Sequence, residues 1–184
     1  MNDTLNDALN EMGQLDRESA ARSDDLMEVR LWLRMLTCTK LIGREVGARL
    51  GKQFDITLPR FDVLAQLERA PDGLTMGELS RRMMVTHGNI TGLVDRLVKD
   101  GLVDRRPIEG NRRANLVKLT QAGHATFTEL AAAHHRWVCG LLRRVEHDDV
   151  ERTFELLARV KSSLTQEILT QETSGPEPRE EAAP

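Results

Sequence analysis

The sequence contains no tyrosine. With four phenylalanines and two tryptophans, aromatic residues make up 3% of the 184, so any core is aliphatic, and folds that lean on aromatic cross-strand pairs are disfavoured. Mainly helical structure is the expectation. There are two cysteines, Cys38 and Cys139, too few for the disulfide framework of a secreted scaffold. No run approaches the ~18 apolar residues of a membrane span, and Met1-Asn2-Asp3 lacks the basic-then-apolar start of a signal peptide. These absences predict a soluble cytoplasmic protein. Hydrophobic residues at 40% and charged residues at 30% suffice for a packed core, and the length suits one domain of ~100–200 residues with extended ends.

The net charge of −3 divides unevenly along the chain. Residues 1–25 hold seven acidic side chains against Arg17 and Arg22, residues 172–184 hold four against Arg179, and the body between them is left at +5. A mildly basic body between acidic ends is compatible with an anionic partner such as nucleic acid.

Residues 1–24 read as an acidic extension, in which Leu5, Leu9, Met12 and Leu15 are spaced for a short helix. From Asp25 to about Gly51 apolar residues follow a helical period, with Leu26, Val29, Leu33 and Leu36 on one stripe. Pro59 suits the first position of a helix from Arg60 to about Arg69, with Phe61, Leu64 and Ala65 inward. Ala70-Pro71-Asp72-Gly73 is a turn. Thr75 and Glu78 form a capping box that opens a short helix ending near Met84. Thr86 occupies the next cap position. From His87 to Lys99, Ile90, Leu93, Val94, Leu97 and Val98 make an amphipathic helix whose other face carries His87, Asn89, Thr91, Arg96 and Lys99. Asp100-Gly101 stops it.

The period then changes to two. Leu102–Arg106 and Asn115–Leu119 read as strands around a basic hairpin tip, residues 107–113, that carries Arg112 and Arg113. Thr120 caps a helix to about Val145, and His147-Asp148-Asp149 precedes a last helix with Val150, Phe154, Leu157, Val160, Leu164 and Ile168 on its stripe. The Gly/Pro/Glu-rich segment 172–184 reads as a disordered acidic tail. Residues 25–56 and 120–171 are expected to form a helical dimerisation region, because the apolar positions of 26–50 and 150–168 exceed what the segment between them can cover.

Two short helices, a tight turn and a hairpin with arginines at its tip make a winged helix-turn-helix, residues 57–119. Its second helix fits a major groove about 12 Å wide, polar N-terminal residues against base edges. Thr86, His87 and Asn89 are the candidate base readers, Asn89 by bidentate pairing with adenine. Ser80, Arg81 and Lys99 are candidate phosphate holders, with Thr91 and Arg96 on the same exposed face. Arg112 and Arg113 sit where a narrow minor groove attracts arginine. Alternatively, the arginines form an ordinary solvated turn.

Glu78-Leu79-Ser80-Arg81-Arg82, Ile90-Thr91-Gly92-Leu93-Val94-Asp95-Arg96-Leu97, Asp100-Gly101-Leu102-Val103, Asn111-Arg112-Arg113 and Leu119-Thr120-Gln121-Ala122-Gly123 together resemble the MarR family of ligand-responsive bacterial regulators. The resemblance spans about residues 26–170. It implies a homodimer with interdigitated terminal helices, two winged domains on a palindromic double-stranded DNA operator, and an effector pocket between dimer helices and winged domain. The family usually has Asp where Asn111 stands. Asn111 can hydrogen-bond Arg113 but is uncharged, and Glu109 is the acidic residue that can substitute.

Residues 30–39, Thr57–Asp62 and Met83–Asn89 also look like a subgroup that represses hydroxycinnamate degradation and releases DNA on binding an aromatic acyl-CoA thioester. That resemblance implies a repressor with such an effector, for example a hydroxycinnamoyl-CoA. Trp32, Leu36, Cys38 and Phe61 would form the acyl slot; Arg30, Arg34, Lys40, Arg44 and Arg60 would meet the phosphates. The first set also reads as core and the second as a solvated helix face. Two alternatives are a free phenolic or aromatic acid as effector, and oxidation of Cys38, although Cys38 lies mid-helix in an apolar stripe. His134 and His135 point ~100° apart on a helix, so they do not share a metal and read as a pocket edge or dimer surface. No Gly-rich phosphate loop, nucleophile motif or pair of carboxylates with a histidine between them suggests an enzyme, and neither a cofactor nor a metal is expected. A protein–protein adaptor is disfavoured by the basic wing.

Overall fold

The computed structural model of the chain describes residues 27–108 and 111–174. The N-terminal extension with its expected helix, Leu26, Glu109 and Gly110 at the hairpin tip, and residues 175–184 lie outside the described residues. The chain divides into two compact units at Gly140/Leu141.

The first unit holds α1 (Met27–Phe54), α2 (Leu58–Glu68), β1 (Leu74–Thr75), α3 (Met76–Met83), α4 (His87–Lys99), β2 (Val103–Ile108), β3 (Asn111–Leu119) and most of α5 (Gln121–Leu142). Its core is aliphatic. Leu50, Leu64, Leu67, Leu79, Ile90, Leu97 and Leu130 are fully buried with Val46, Val63, Val94, Val103 and Val117, each large side chain contributing ~1.5–3 kcal/mol. The three strands are antiparallel in the order β1-β3-β2, with Leu74 opposite Val117 and Val103 opposite Leu119. This is a mainly helical fold in which a helix-turn-helix is followed by a β wing.

Local chemistry sets the boundaries. Helix α1 passes Gly51 and ends at Phe54 because the left-handed residue that turns the chain is Asp55, φ 53°, whose N–H donates to the Gly51 carbonyl at 3.2 Å. Helix α2 starts at Leu58, not Arg60, with Thr57 as N-cap and Pro59 in its first turn. The Thr75–Glu78 capping box forms as expected: Glu78 N–H donates to Thr75 Oγ1 at 3.2 Å and Thr75 N–H to Glu78 Oε2 at 2.8 Å. The Thr75 N–H bond, joined by one from the Thr75 hydroxyl to the same Oε2 at 2.7 Å, holds the Glu78 carboxyl below its ordinary pKa.

The wing departs from expectation. Its strands run to Ile108 and from Asn111, so the backbone of Asn111, Arg112 and Arg113, expected in the tip, lies on a strand. Pro107 does not end β2, because β2 is an edge strand and a bulge falls between Pro107 and Ile108.

At the wing's base Gly123 is required by close approach. A Cβ there would lie 2.0 Å from the Leu102 carbonyl oxygen, which already accepts the Thr120 N–H at 3.1 Å. Thr120 Oγ1 accepts the Gly123 N–H at 2.9 Å and donates to the Gly101 carbonyl at 2.8 Å, so α5 is capped directly against the loop that leaves α4.

The second unit contains the end of α5, which stops at Leu142 rather than Val145, and α6 (His147–Ser174). His147-Asp148-Asp149 is the first turn of α6 rather than a lead-in, its two carboxylates well placed at the helix N-terminus. Phe154, Leu157, Leu164 and Ile168 are exposed on it. The helix continues through Ser174, past the point where the tail was expected to begin.

Candidate nucleic-acid interface and effector cavity

Helices α3 and α4 are joined by Met84-Val85-Thr86, with Met84 left-handed at φ 53°. Ser80 holds this turn: its Oγ donates to the Val85 carbonyl at 2.6 Å, and its own carbonyl accepts the Val85 N–H at 3.2 Å. This corrects the expectation for Ser80, whose only hydroxyl proton is committed inside the protein.

Helix α4 buries Ile90, Val94 and Leu97 and turns Gly88, Asn89, Gly92, Arg96 and Lys99 to solvent. Thr86 and His87 are exposed at its N-terminus, and the Thr86 side chain makes no capping bond. Thr91 is only half-exposed, and its Oγ1 donates back to the His87 carbonyl at 2.9 Å, which removes it from the donors facing outward. Arg81 is exposed at the end of α3.

The acidic residues of this segment are answered from other elements. Arg105 on β2 donates to Asp95 Oδ1 at 3.0 Å, and Arg60 on α2 donates to Asp100 at the C-cap of α4. The solvent face of α4 therefore carries Arg96 and Lys99 beside neutralised carboxylates, a positive balance suited to a polyanion. The sequence reading missed Asp95, Asp100 and Arg105, since nothing local marks pairs 10 and 40 residues apart. Beside α4 runs a groove of about 390 Å³, walled by Pro59, Val85, Gly88, Asn89, Gly92, Leu93 and Arg96. The backbone of Arg112 and Arg113 lies on β3; their side chains, with those of Asn111 and Glu109, lie outside what is described.

A cavity of about 610 Å³ opens between α2, the end of α3 and α5. Phe61 stacks on Phe127, centroids 5.8 Å apart, and on the His134 ring at 4.8 Å, both at 26°. Arg69, Arg82, Gln66 and Asp62 supply polar wall, and His135 and Cys139 lie further along α5. Burial pushes the Asp62 carboxyl above its ordinary pKa, opposed by His134. The expectation that the two histidines edge a pocket matches this geometry. Among the described residues, no group of three His, Cys, Asp or Glu side chains is placed to hold a metal ion, and no helix is long and apolar enough to cross a membrane.

The expected acyl slot is not assembled around this cavity. Of Trp32, Leu36, Cys38 and Phe61, only Phe61 lines it. Trp32 and Cys38 are exposed on α1 and Leu36 is half-exposed. Arg34, Lys40 and Arg44 are exposed on α1 and Arg30 is half-exposed. Arg60 is a correction: its side chain is 13% exposed and paired with Asp100, its Nε is buried without a partner, and burial lowers its pKa. It braces α4 and is not an open phosphate cation. Phe127, Arg69 and Arg82 were missed because the cavity gathers three helices whose closeness leaves no mark on any one of their sequences.

Residues 54–114 match the pattern of the MarR family. The chain is 31% identical over 147 residues to the transcriptional activatory protein BadR of Rhodopseudomonas palustris, covering 77% of this chain and 83% of that protein. A MarR family transcriptional regulator from Silicibacter pomeroyi superposes with a TM-score of 0.65 at 38% identity, covering 74% of this chain and 94% of that one. The transcriptional regulator BldR from Sulfolobus solfataricus gives 0.68 at 26% identity, over 78% and 99%. With a helix-turn-helix, a wing and a cationic solvent face on α4 already in place, the chain belongs to the MarR family of transcriptional regulators, which bind DNA as dimers.

Proposed function

We propose that this protein is a ligand-responsive regulator of aromatic-acid degradation genes, dimeric through its first and last helices, that leaves a palindromic operator when an aromatic acyl-CoA binds. The observation that carries the reading is the solvent face of α4. Thr86, His87 and Asn89 stand at its N-terminus, Arg96 and Lys99 follow, and both neighbouring carboxylates are paired away. Thr86, His87 and Asn89 read bases, Arg81, Arg96 and Lys99 hold phosphates, and Arg112 and Arg113 follow the minor groove. Ser80 acts by fixing the turn.

The aromatic ring enters the cavity beside Phe61, Phe127 and His134. The thioester's phosphates then lie outside it, and the resemblance in sequence assigns Arg30, Arg34, Lys40 and Arg44 of α1 to them. A second reading is favoured by Arg69 and Arg82 on the wall: a free aromatic acid fits about 610 Å³ whole and meets a cation inside. In either case occupancy reaches the DNA face by one short route. Phe61 and Asp62 line the cavity, while Arg60, the residue before them, holds the C-cap of α4, so displacing the first turn of α2 displaces the reading helix.

An operator selected from random duplexes gives the test. Asn89→Ala should flatten discrimination among operator variants, whereas Lys99→Ala should weaken all of them and lower the salt slope; identical behaviour of the two rejects the assignment. Calorimetric titration with hydroxycinnamoyl-CoA and with the free acid, with and without operator, identifies the effector, because DNA and ligand must weaken each other by the same factor. A relative is named an activatory protein, so a reporter assay sets the sign of control.

A further inference from the structure

The cavity wall contains a nucleophile that DNA recognition does not use. Cys139 is exposed on α5, one turn from His135, and its Sγ lies 3.7 Å from His135 Nε2. Both line the cavity that holds the Phe61 stack, with Arg69 and Arg82 in the same wall. A thiol with an imidazole within reach as a proton acceptor, at the edge of an open cavity with aromatic walls and two cations, places a nucleophile next to the position that an anionic or carbonyl-bearing aromatic partner would take.

We propose that Cys139 is a covalent capture site for aromatic α,β-unsaturated carbonyl compounds that enter this cavity. The inference rests on the reading that the cavity admits aromatic effectors, and it adds a reactive class to them. In the step, His135 Nε2 takes the Cys139 proton and the sulfur electron pair forms a bond to the β-carbon. The C=C π electrons pass to the α-carbon as an enolate whose oxygen faces Arg69 or Arg82, and protonated His135 returns the proton to the α-carbon. The product is a saturated thioether, and no oxidant or reductant is needed. The compound's ring occupies the space beside Phe61 and Phe127, which restricts capture to planar aromatic electrophiles.

The second thiol provides an internal standard, since Cys38 is exposed on another helix, α1. Full-length protein is treated with cinnamaldehyde, and adducts at the two cysteines are followed over time by peptide mass spectrometry, with iodoacetamide as the non-aromatic control. Cys139 should react at least tenfold faster than Cys38 with cinnamaldehyde and show a smaller preference with iodoacetamide. His135→Asn, an exposed substitution, should bring Cys139 down to the Cys38 rate while leaving Cys38 unchanged. Equal rates at the two cysteines, or a Cys139 rate indifferent to His135→Asn, overturn the proposal. Titration of Cys139→Ser with cinnamate and with cinnamoyl-CoA separates the two levels: if either binds this variant while the native protein forms no selective adduct, capture is rejected and the effector reading stands. If neither binds and no selective adduct forms, both are rejected.

Discussion

Two identical substitutions in one helix should move stability in opposite directions. Gly123 and Gly140 both lie on α5, and each can be changed to alanine. At Gly123 the new Cβ would meet the Leu102 carbonyl oxygen at 2.0 Å and its carbon at 3.0 Å, more than an ångström inside ordinary contact and against backbone, which cannot rotate away. Relief requires either that α5 lifts, weakening the Thr120 bonds to Leu102, Gly101 and Gly123, or that the loop between α4 and β2 retreats. Overpacking of this kind costs ~1–3 kcal/mol, and the loss of two or three hydrogen bonds at ~1 kcal/mol each gives a similar figure. At ~2–4 °C per kcal/mol for a chain of this size, Gly123→Ala should melt about 6–12 °C lower if the loss reaches ~3 kcal/mol. Gly140 is exposed with nothing within 4 Å of its Cβ position, so Gly140→Ala should add ~0.4–1 kcal/mol by restricting the unfolded chain, raising the midpoint by about 1–4 °C. Differential scanning calorimetry reads both. A Gly123→Ala protein that melts with the native one refutes the close approach, and a Gly140→Ala protein that falls with Gly123→Ala refutes the contact as the source of the loss.

Arg113→Ala should remove ~1–3 kcal/mol of operator binding per wing, about 2–6 kcal/mol for a dimer, if the side chain enters the minor groove; unchanged affinity in a gel-shift titration rejects this. Ser80→Ala should destabilise the fold by ~1–2 kcal/mol, because the Val85 carbonyl loses its donor, and should leave the salt slope of DNA binding untouched. A reduced slope would restore Ser80 to the phosphate contacts. Asp62→Asn should stabilise the protein at pH 7 and lose that advantage at low pH. The native state raises the Asp62 pKa above the ordinary 3.8, so it binds the proton more tightly than the unfolded chain, and the penalty appears as pH rises from 3.8 through the folded value. Parallel melting curves for variant and native protein between pH 4 and 7 would count against the burial.

Periodicity carried most of the fold. The span of α4 matches the amphipathic repeat, and the Thr75–Glu78 box forms the start of α3, because both are written in residues three or four apart. Breakers were less informative than conformation. Gly51 does not end α1 and Pro107 does not end β2, since an internal helical glycine is tolerated and an edge strand has a free side for proline. The last helix runs further than composition suggested, for Glu172 and Thr173 tolerate helix as well as coil.

The site was legible to the extent that its parts lie on one element. The exposed row of α4 follows from the buried row, so Asn89, Arg96 and Lys99 could be placed from sequence. The cavity could not, because Phe61, Arg82 and His134 come from three helices, and neither could the fate of the acidic residues. Read linearly, Asp95 and Asp100 oppose a DNA-binding role for the helix that carries them. In the folded chain each is matched by an arginine from a different element, so the same two carboxylates tether α4 to the wing and to α2. Residues that look like charge defects in the sequence are thus partners for arginines of neighbouring elements, while the seat of α4 itself is its buried row of Ile90, Val94 and Leu97. The Arg60 pair joins the C-cap of α4 to the residue that precedes Phe61 and Asp62 in the cavity wall.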